Sequence, residues 1–341
     1  MSRFNSLLSN ANLFVRSLKP QLSLDFGSSY TRVMIDQKIV WHQPTLLAWH
    51  SHNHHVVAIG DRANNLIGKT PQYIQLVSPV RQGVIVELDS AKFYLKVMVN
   101  QLRQAKKLNQ WLPAKCRLSV PASSSPLELE QFQESLNQAG IKVEQLVNKT
   151  KAVVALKELA QINQTHGVID LGAQTVDVGI FVGQELIKAV TLTTVSGDDF
   201  TRVVIEQALA EYELVIGWAV AREVKHQLGS IMSLKTDKPE VMTVRGKHAK
   251  SHLVTAVRVQ SSSFQVKFQQ LAKVLINELA EVINELPAEV ATQLQEQGFY
   301  LIGGSSQLRG WSMVLQEALG MPFILSKSPQ IDLVRGLASV K

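Results

Sequence analysis

Two separate segments of the chain combine the residue types that bind a polyphosphate. Residues 22–35 read LSLDFGSSYTRVMI and residues 167–182 read GVIDLGAQTVDVGIFV, so each has an apolar run, an Asp-x-Gly and a short polar turn. Glycine has no Cβ, and successive N–H groups of such a turn can therefore point at one anion. The candidate phosphate-binding residues are Gly27, Ser28 and Ser29 in the first turn and Gly172, Ala173, Gln174 and Thr175 in the second.

Two aspartates and a third glycine turn complete this pattern. Asp25 and Asp170 each stand two positions before the glycine of their turn, where a carboxylate can hold water molecules around a Mg²⁺ ion. The segment Gly303-Gly304-Ser305-Ser306 follows an apolar strand and precedes a predicted helix, so its backbone can approach a base or a ribose. One Asp-x-Gly turn alone is commonly an ordinary hairpin, but the three turns in this order predict a nucleotide site.

The elements that carry these turns follow from hydrophobic periodicity. Alternation through Val33 and Ile35, and through Val178 and Ile180, predicts a β-hairpin at each Asp-x-Gly turn. The repetition indicates a duplicated domain with two α/β lobes. Predicted helices cover residues 90–108, 126–139, 199–216, 219–228, 264–286 and 311–319, predicted strands cover 116–122 and 299–304, and residues 230–263 are predicted to form a small strand-rich subdomain.

Composition excludes several other classes of protein. The chain has 341 residues, of which 45% are hydrophobic and 18% charged, so it can bury a full core and is not expected to be disordered. Its apolar stretches are too short for a spanning helix, and a single cysteine, Cys116, fits a reducing cytoplasm. The net charge of +7 permits contact with a polyanion, but no nucleic-acid-binding motif accompanies it. We therefore expect a cytoplasmic protein that does not bind nucleic acid.

The first 20 residues have a composition of their own. Residues 1–24 contain three basic residues and no acidic one, and Pro20 ends a stretch with an apolar residue every three or four positions. This pattern predicts an amphipathic helix that lies in an anionic lipid headgroup layer. A terminal helix docked on the protein body is the alternative. The candidate membrane-contacting residues are Phe4, Leu7, Leu8, Phe14, Val15 and Leu18.

The motifs resemble those of the MreB family of bacterial actins, within the actin, sugar-kinase and heat-shock ATPase superfamily. The resemblance extends from about residue 22 to residue 340. The segments IGKTP (67–71) and SPVRQGVIVELD (78–89) are of MreB type and are not general to the superfamily. Other matching segments are IVWHQPTLLAW (39–49), SVPA (119–122), VSGDDF (195–200), REVKHQLG (222–229) and LRGW (308–311).

The resemblance implies an α/β, actin-like fold, which is a duplicated ribonuclease H-like fold with an interlobe cleft for Mg²⁺ and ATP or another purine nucleotide. Lobe I would comprise residues 21–145 plus 320–341, with a small subdomain at about 36–78, and lobe II residues 146–319, with a small subdomain at about 186–258. By the same resemblance, Tyr30 joins the first phosphate turn. Arg222 and Lys225 would lie beside the adenosine, and Gly303 to Ser306 would close over it.

The resemblance also implies a biological role. MreB proteins polymerise into filaments on the inner face of the cell membrane, commonly through an N-terminal amphipathic helix. The expected partners are therefore other copies of the chain, the membrane surface, and membrane proteins of the wall-synthesis or morphogenesis machinery. The expected function is the organisation of cell shape.

Three departures from the family pattern concern the chemistry of hydrolysis. Asn148 stands where the family has a catalytic glutamate, and an asparagine cannot accept a proton as a general base. Val176 follows Thr175, the candidate residue near the γ-phosphate, where the family has a second threonine. Arg222 replaces a glutamate of the adenosine helix, so a donor-only cation stands where a carboxylate would accept from the ribose. We expect at most a slow ATPase.

Other functions fit the residues less well. The alternative is a non-polymerising, membrane-tethered adaptor of the FtsA or PilM kind, which recruits partners and uses its cleft weakly. A sugar or acetate kinase is disfavoured because no substrate-binding insertion is evident. The four histidines at positions 50, 52, 54 and 55 are interpreted as a solvated hairpin tip, since no carboxylate or cysteine accompanies them as a metal ligand. The basic run 247–252, with Arg245 and Arg258, is interpreted as a solvated face.

Overall fold

The computed structural model describes residues 21–53, 55–110, 112–232 and 239–340. The predicted N-terminal helix, with its six membrane-contacting candidates, and His54 lie outside the described residues. The chain forms two compact units. Unit 1 extends to Leu159 and resumes at Leu333, and unit 2 is Ala160–Asp332.

Unit 1 is built on a mixed five-stranded sheet. Its elements in chain order are β1 (Gln21–Phe26), β2 (Tyr30–Ile35), β3 (Lys38–Pro44), β4 (Leu47–His50), β5 (Val56–Ile59), α1 (Gly60–Asn64), β6 (Ile74–Val77), β7 (Val80–Arg81), β8 (Val84–Ile85), α2 (Leu88–Gln104), β9 (Ala114–Val120), α3 (Pro126–Gln138), β10 (Ile141–Asn148) and α4 (Lys149–Val154). The main sheet has the order β10-β9-β1-β2-β3, and a second sheet has the order β5-β4-β6. Strands β9 and β10 are parallel to β1, whereas β1, β2 and β3 form an antiparallel meander.

The central strands of unit 1 are apolar because both faces of the sheet are covered. Leu22 and Leu24 of β1 and Leu118 of β9 are completely buried, as expected for strands that lie between layers of other elements. Tyr94 of α2 and Phe132 of α3 belong to the same hydrophobic core. This core holds the end of β1, and therefore the first candidate phosphate turn, in a fixed position.

Unit 2 repeats the design of unit 1. Its elements in chain order are β11 (Thr165–Leu171), β12 (Val176–Val182), β13 (Glu185–Leu192), α5 (Gly197–Tyr212), β14 (Leu214–Val215), α6 (Trp218–Leu228), β15 (Val241–His248), β16 (Val254–Gln260), α7 (Ser262–Asn284), α8 (Ala288–Gln297), β17 (Phe299–Ile302), a 3₁₀ turn (Gly304–Gln307), α9 (Trp311–Leu319) and β18 (Phe323–Leu325). The chain then returns to unit 1 in α10 (Asp332–Ser339). A smaller sheet has the order β14-β15-β16.

The two main sheets have the same strand order and directions. In unit 2 the order is β18-β17-β11-β12-β13, with β17 parallel to β11 and β18 parallel to β17. Strands β11, β12 and β13 form the antiparallel meander. Both Asp-x-Gly turns therefore join the first and second strands of equivalent sheets, as the repeated sequence pattern predicts.

Two predicted helices end four residues earlier than their periodicity indicates. The helix predicted to reach residue 108 ends at Gln104, and Lys106 has a φ of +56°. The helix predicted to reach residue 216 ends at Tyr212, because Glu213 has a φ of +48°. A left-handed residue cannot continue a right-handed helix. Leu214 and Val215 then pair with β15 instead.

Candidate functional site

The second candidate phosphate turn is a closed loop between β11 and β12. The backbone N–H of Gly172 donates to the carbonyl oxygen of Thr175 at 3.0 Å. A Cβ at position 172 would lie 2.7 Å from that same oxygen, so the turn requires glycine there. The side chain of Thr175 is buried and donates to Asp177 Oδ2 at 3.2 Å. The turn is thus fixed from inside before any ligand arrives.

The same turn is attached to the beginning of α5. The N–H of Gly197 donates to the oxygen of Gly172 at 3.1 Å, and the N–H of Asp198 donates to the oxygen of Ala173 at 2.7 Å. Gln174 Nε2 donates to Asp198 Oδ2 at 2.9 Å. The side chain of Gln174 therefore holds the turn against the helix.

Lys225 of α6 reaches the same helix terminus from the other side. Its side chain is buried, and Nζ donates to the carbonyl oxygen of Gly197 at 2.8 Å. Burial lowers the pKa of Lys225 to about 8, while the nearby charge of Asp198 opposes that shift. Burial raises the pKa of Asp198, and the Gln174 hydrogen bond and Lys225 oppose that shift. These two groups form a partly desolvated pair of opposite charge.

The third glycine turn contacts the second one directly. Ser305 Oγ donates to the carbonyl oxygen of Gly172 at 2.8 Å. Gly303 has a φ of +88°, and a Cβ there would lie 2.3 Å from Asp170 Oδ1. Ser306 Oγ donates back to the oxygen of Gly303 at 2.7 Å, which closes the turn. The structure therefore brings together the predicted residues of the second and third turns, with Asp170 against the third.

A pocket opens beside these turns. Its volume is about 220 Å³ including the open mouth. Its lining is Gly197, Phe200, Lys225, His226, Gly304, Ser305 and Leu308. Partial burial, Lys225 and Arg222 lower the pKa of His226, so its imidazole is favoured in the neutral form. Sequence reasoning missed Phe200, His226 and Leu308 as lining residues, although each lies within a segment, VSGDDF, REVKHQLG or LRGW, that carries the family resemblance.

In unit 1 the first turn is also closed and supported. The N–H of Gly27 donates to the oxygen of Tyr30 at 3.2 Å, and the N–H of Thr45 donates to the oxygen of Ser29 at 2.9 Å. Ser78 Oγ donates to the oxygen of Ser28 at 3.2 Å. The Ser78 contact comes from the segment SPVRQGVIVELD. That segment therefore supports the first turn by a direct hydrogen bond.

Asp25 does not offer the free carboxylate that a magnesium site needs. Arg32 Nη1 lies 3.2 Å from Asp25 Oδ2, and Ser119 Oγ donates to Asp25 Oδ1 at 3.3 Å. Both oxygens are thus engaged by the protein, and the positive charge comes from Arg32. In the described parts of the chain no group of three or more His, Cys, Asp and Glu side chains could hold a metal ion. The Mg²⁺ roles of Asp25 and Asp170 stay predictions. The contacts of Arg32 and Ser119 with both oxygens of Asp25 do not favour a metal-binding role for Asp25.

Asn148 is the N-terminal cap of α4. Its Oδ1 accepts hydrogen bonds from the backbone N–H of Thr150 at 2.9 Å, from Thr150 Oγ1 at 2.7 Å and from the N–H of Lys151 at 3.2 Å. An oxygen with three donors is committed to the helix terminus. The structure thus gives Asn148 a structural role at the position where the family has its catalytic glutamate.

Comparison with known proteins gives a consistent result over nearly the whole chain. The family model described as MreB/Mbl protein matches residues 19–341. The cell shape-determining protein Mbl of Bacillus subtilis (strain 168) is 24% identical over 313 residues, which cover 90% of this chain and 91% of Mbl. The cell shape-determining protein MreB of Escherichia coli (strain K12) is 24% identical over 324 residues, which cover 92% of this chain and 91% of MreB.

Solved structures show the same fold. The crystal structure of MreB5 of Spiroplasma citri bound to AMPPNP matches with a TM-score of 0.84 at 22% identity, covering 93% of this chain and 94% of MreB5. The MamK double helical filament matches with a TM-score of 0.77 at 20% identity, covering 94% of this chain and 97% of MamK. At these identities the likeness establishes the fold, and it confirms the predicted α/β, actin-like architecture. No helix among the described residues is long and apolar enough to cross a membrane.

Proposed function

The chain belongs to the MreB/Mbl protein family, and from that membership we propose that it is an actin-like, nucleotide-binding cytoskeletal protein that determines cell shape. Its named relatives are cell shape-determining proteins. Its structural neighbours include a protein bound to AMPPNP and a double helical filament. The proposed ligand is ATP or another purine nucleotide, and the proposed assembly is a filament of identical subunits.

One observation carries the nucleotide proposal: three segments meet on the carbonyl oxygen of Gly172. That oxygen accepts from the N–H of Gly197 and from Ser305 Oγ. A phosphate turn, a helix N-terminus and a glycine turn are thereby fixed beside one pocket, and Lys225 supplies a cation there. The positive end of the α5 dipole and the ammonium group of Lys225 favour a bound anion beside the turn, whereas the N–H groups of Gly197 and Asp198 already donate to the turn itself. This arrangement suits a nucleotide whose phosphates contact the turn and whose sugar or base lies at the open mouth of the pocket.

We propose that hydrolysis is slow or absent. A general base must be within hydrogen-bond reach of the attacking water and must accept its proton. Asn148 has no basic group, and its Oδ1 is occupied by the N-terminus of α4. Removal of a general base costs about 10²- to 10⁴-fold in rate. The protein would then switch by binding and releasing nucleotide more than by cleaving it.

The cellular setting is a further part of the proposal. The acid-free, amphipathic segment 1–20 supports a peripheral position on the inner face of the cell membrane. In that position, filaments could organise membrane proteins of the wall-synthesis or morphogenesis machinery. The alternative is a membrane-tethered adaptor that does not polymerise and uses its cleft weakly. The hydrogen bond from Gln174 to Asp198 favours it, because a phosphate turn tied to the protein itself is less free to adjust to a nucleotide.

Two measurements on the purified full-length chain test the proposal. The first is binding of a fluorescent ATP analogue to the wild type and to Gly304→Val and Gly217→Val. Nothing lies within 4 Å of a Cβ at either glycine, so the first atom of the new side chain meets no neighbour in either variant. Of these two glycines, Gly304 lines the pocket and Gly217 does not. We expect Gly304→Val to weaken binding at least about tenfold and Gly217→Val to leave it unchanged. Equal affinities for all three proteins would reject the site.

The second measurement is electron microscopy of the chain on anionic liposomes, with ATP and without nucleotide. Filaments that require ATP would support the cytoskeletal function. Coated liposomes without filaments in both conditions would favour the adaptor. Rapid phosphate release, at the rate of an ordinary member of the family, would contradict the proposed loss of hydrolysis.

A further inference from the structure

The smaller sheet of unit 2 has an unusual charge composition. Residues 241–263, which contain β15 and β16, include Arg245, Lys247, Lys250 and Arg258 but no aspartate or glutamate. The whole chain has 35 basic and 28 acidic residues, so an acid-free stretch of this length is a local feature. It lies far along the chain from the acid-free N-terminal segment.

The strand register places the cations on one face of this sheet. Thr243 pairs with Arg258, Arg245 with Ala256, and Lys247 with Val254. Side chains alternate between the two faces of a strand. The opposite face contributes Val244 and Val259 to the hydrophobic core of unit 2. We call the outward side the basic face, and its residues are Val241, Thr243, Arg245, Lys247, Val254, Ala256, Arg258 and Gln260, all of them exposed.

The cations of the basic face have no local acidic partner. Arg245, Lys247 and Arg258 form no ion pair with any carboxylate of the described residues. At the end of the hairpin, Lys250 and His248 contact Glu213. The three arginine and lysine charges of the face itself are therefore available to a ligand outside the chain.

Two adjacent apolar side chains project beside these charges. Leu253 is 69% exposed and Val254 is 78% exposed, the highest values among the large hydrophobic side chains of the described residues. Val215, 49% exposed, pairs with Lys247 from the neighbouring strand. We call Leu253 and Val254 the apolar tip. Exposed apolar groups beside a basic surface suit the boundary between lipid headgroups and acyl chains.

We propose that the basic face and the apolar tip form a second membrane-docking surface, which binds anionic lipid. Lysine and arginine would contact lipid phosphates and carboxylates, and the tip would enter the acyl boundary. The choice of lipid over an acidic protein rests on the combination of the apolar tip with unpaired cations on the exposed face of β15 and β16. The inference deepens the proposed function, because it rests on the proposed position of the protein at the membrane.

The test is sedimentation of the full-length chain with vesicles of phosphatidylcholine and phosphatidylserine, and with phosphatidylcholine alone. One variant combines Leu253→Asp and Val254→Asp, and another combines Arg245→Glu, Lys247→Glu and Arg258→Glu. Two controls place the same number and kind of charge changes at other exposed positions: Leu127→Asp with Val266→Asp, and Lys38→Glu with Lys107→Glu and Lys142→Glu. The control residues Leu127 and Val266 are 64% and 65% exposed. Circular dichroism verifies the fold of each variant.

We expect each docking-surface variant to lose at least about tenfold in affinity for the anionic vesicles and each control to lose less than about twofold. Wild-type binding should weaken with salt and with removal of phosphatidylserine. Unchanged vesicle binding in the docking-surface variants would overturn the inference, even if those variants failed to form filaments, since the surface would then serve self-association. A wild type that binds no vesicles would reject the membrane position altogether, whereas nucleotide binding would still be judged by its own assay.

Discussion

Asp25 and Arg32 face each other across the first hairpin and form a buried ion pair. They are direct partners in the register of β1 and β2, with Arg32 Nη1 3.2 Å from Asp25 Oδ2. Their side chains are only 8% and 13% exposed, respectively. Arg32 Nε is buried with no hydrogen-bond partner among the described residues, so the pair is not completely satisfied. The chain thus places its own cation beside the carboxylate that the sequence pattern assigns to Mg²⁺.

This geometry predicts that removal of one partner lowers the free energy of unfolding much more than removal of both. Arg32→Met leaves a buried carboxylate without its cation and should lower the free energy of unfolding by about 3–5 kcal/mol. The double variant Asp25→Asn, Arg32→Met replaces the pair with neutral groups of similar size and should recover most of that loss. Urea denaturation followed by circular dichroism measures both. A double variant as unstable as the single one would show that the pair contributes more than mutual neutralisation.

The same ion pair predicts how nucleotide binding responds to metal removal. Because Arg32 already neutralises Asp25, we expect Asp25→Asn to leave unchanged the ratio of ATP affinities measured with Mg²⁺ and with EDTA. The measurement is titration of a fluorescent ATP analogue into the wild type and the variant in both buffers. If the ratio falls to about one only in Asp25→Asn, the carboxylate does hold the metal through water.

Substitution of Asn148 by alanine should lower the stability of the fold without changing the rate of ATP hydrolysis. Its Oδ1 caps α4, and loss of a side-chain cap costs about 0.5–2 kcal/mol. We expect Asn148→Ala to lose about 1 kcal/mol, and Asn148→Asp to retain most of the stability because a carboxylate accepts the same bonds. Phosphate release should be equal in the wild type and in Asn148→Ala. A slower release in Asn148→Ala would instead assign the side chain to the reaction.

The sequence predicts the hairpins and most helices because they depend on local periodicity. The predicted helix ends at residues 108 and 216 are wrong, since nothing in the apolar pattern shows that Lys106 and Glu213 adopt a positive φ. The sequence is sufficient to predict the capping role of Asn148, because asparagine directly before a helix is a recognised N-cap signal.

Contacts between distant segments were beyond sequence reasoning. Gln174 and Asp198 meet because backbone hydrogen bonds from Gly197 and Asp198 hold the start of α5 against the turn after β11. The composition of the turn indicates a phosphate site, but it cannot show that a side chain of the turn ties it to a helix. The Asp25–Arg32 contact is easier to predict, because the hairpin register brings the two residues opposite each other once the turn is located.

Neighbouring glycines of the third turn should respond differently to alanine. Gly303 has a φ of +88°, and a Cβ there would lie 2.3 Å from Asp170 Oδ1, so Gly303→Ala should cost about 1–3 kcal/mol. Nothing lies within 4 Å of a Cβ at Gly304, and Gly304→Ala should change stability by less than about 0.5 kcal/mol. Thermal unfolding of the two variants measures the difference. Equal stabilities would show that the turn relaxes around a Cβ at position 303.

His166 predicts a loss of stability in mild acid. Its side chain is buried and stacked on Phe181, Nδ1 lies 3.1 Å from the oxygen of Gln164, and Nε2 is buried with no partner among the described residues. Burial lowers the pKa of His166, so the folded state favours the neutral ring. The unfolded chain takes up a proton below its ordinary pKa of about 6.5, and stability is therefore present above that pH and is lost as the pH falls toward the folded pKa. His166→Phe should reduce the slope of unfolding free energy against pH by up to about 1.4 kcal/mol per pH unit in this window and leave it unchanged near pH 8. Urea denaturation between pH 5 and pH 8 measures both slopes, and identical profiles for the two proteins would show that His166 is protonated as readily in the folded chain as in the unfolded one.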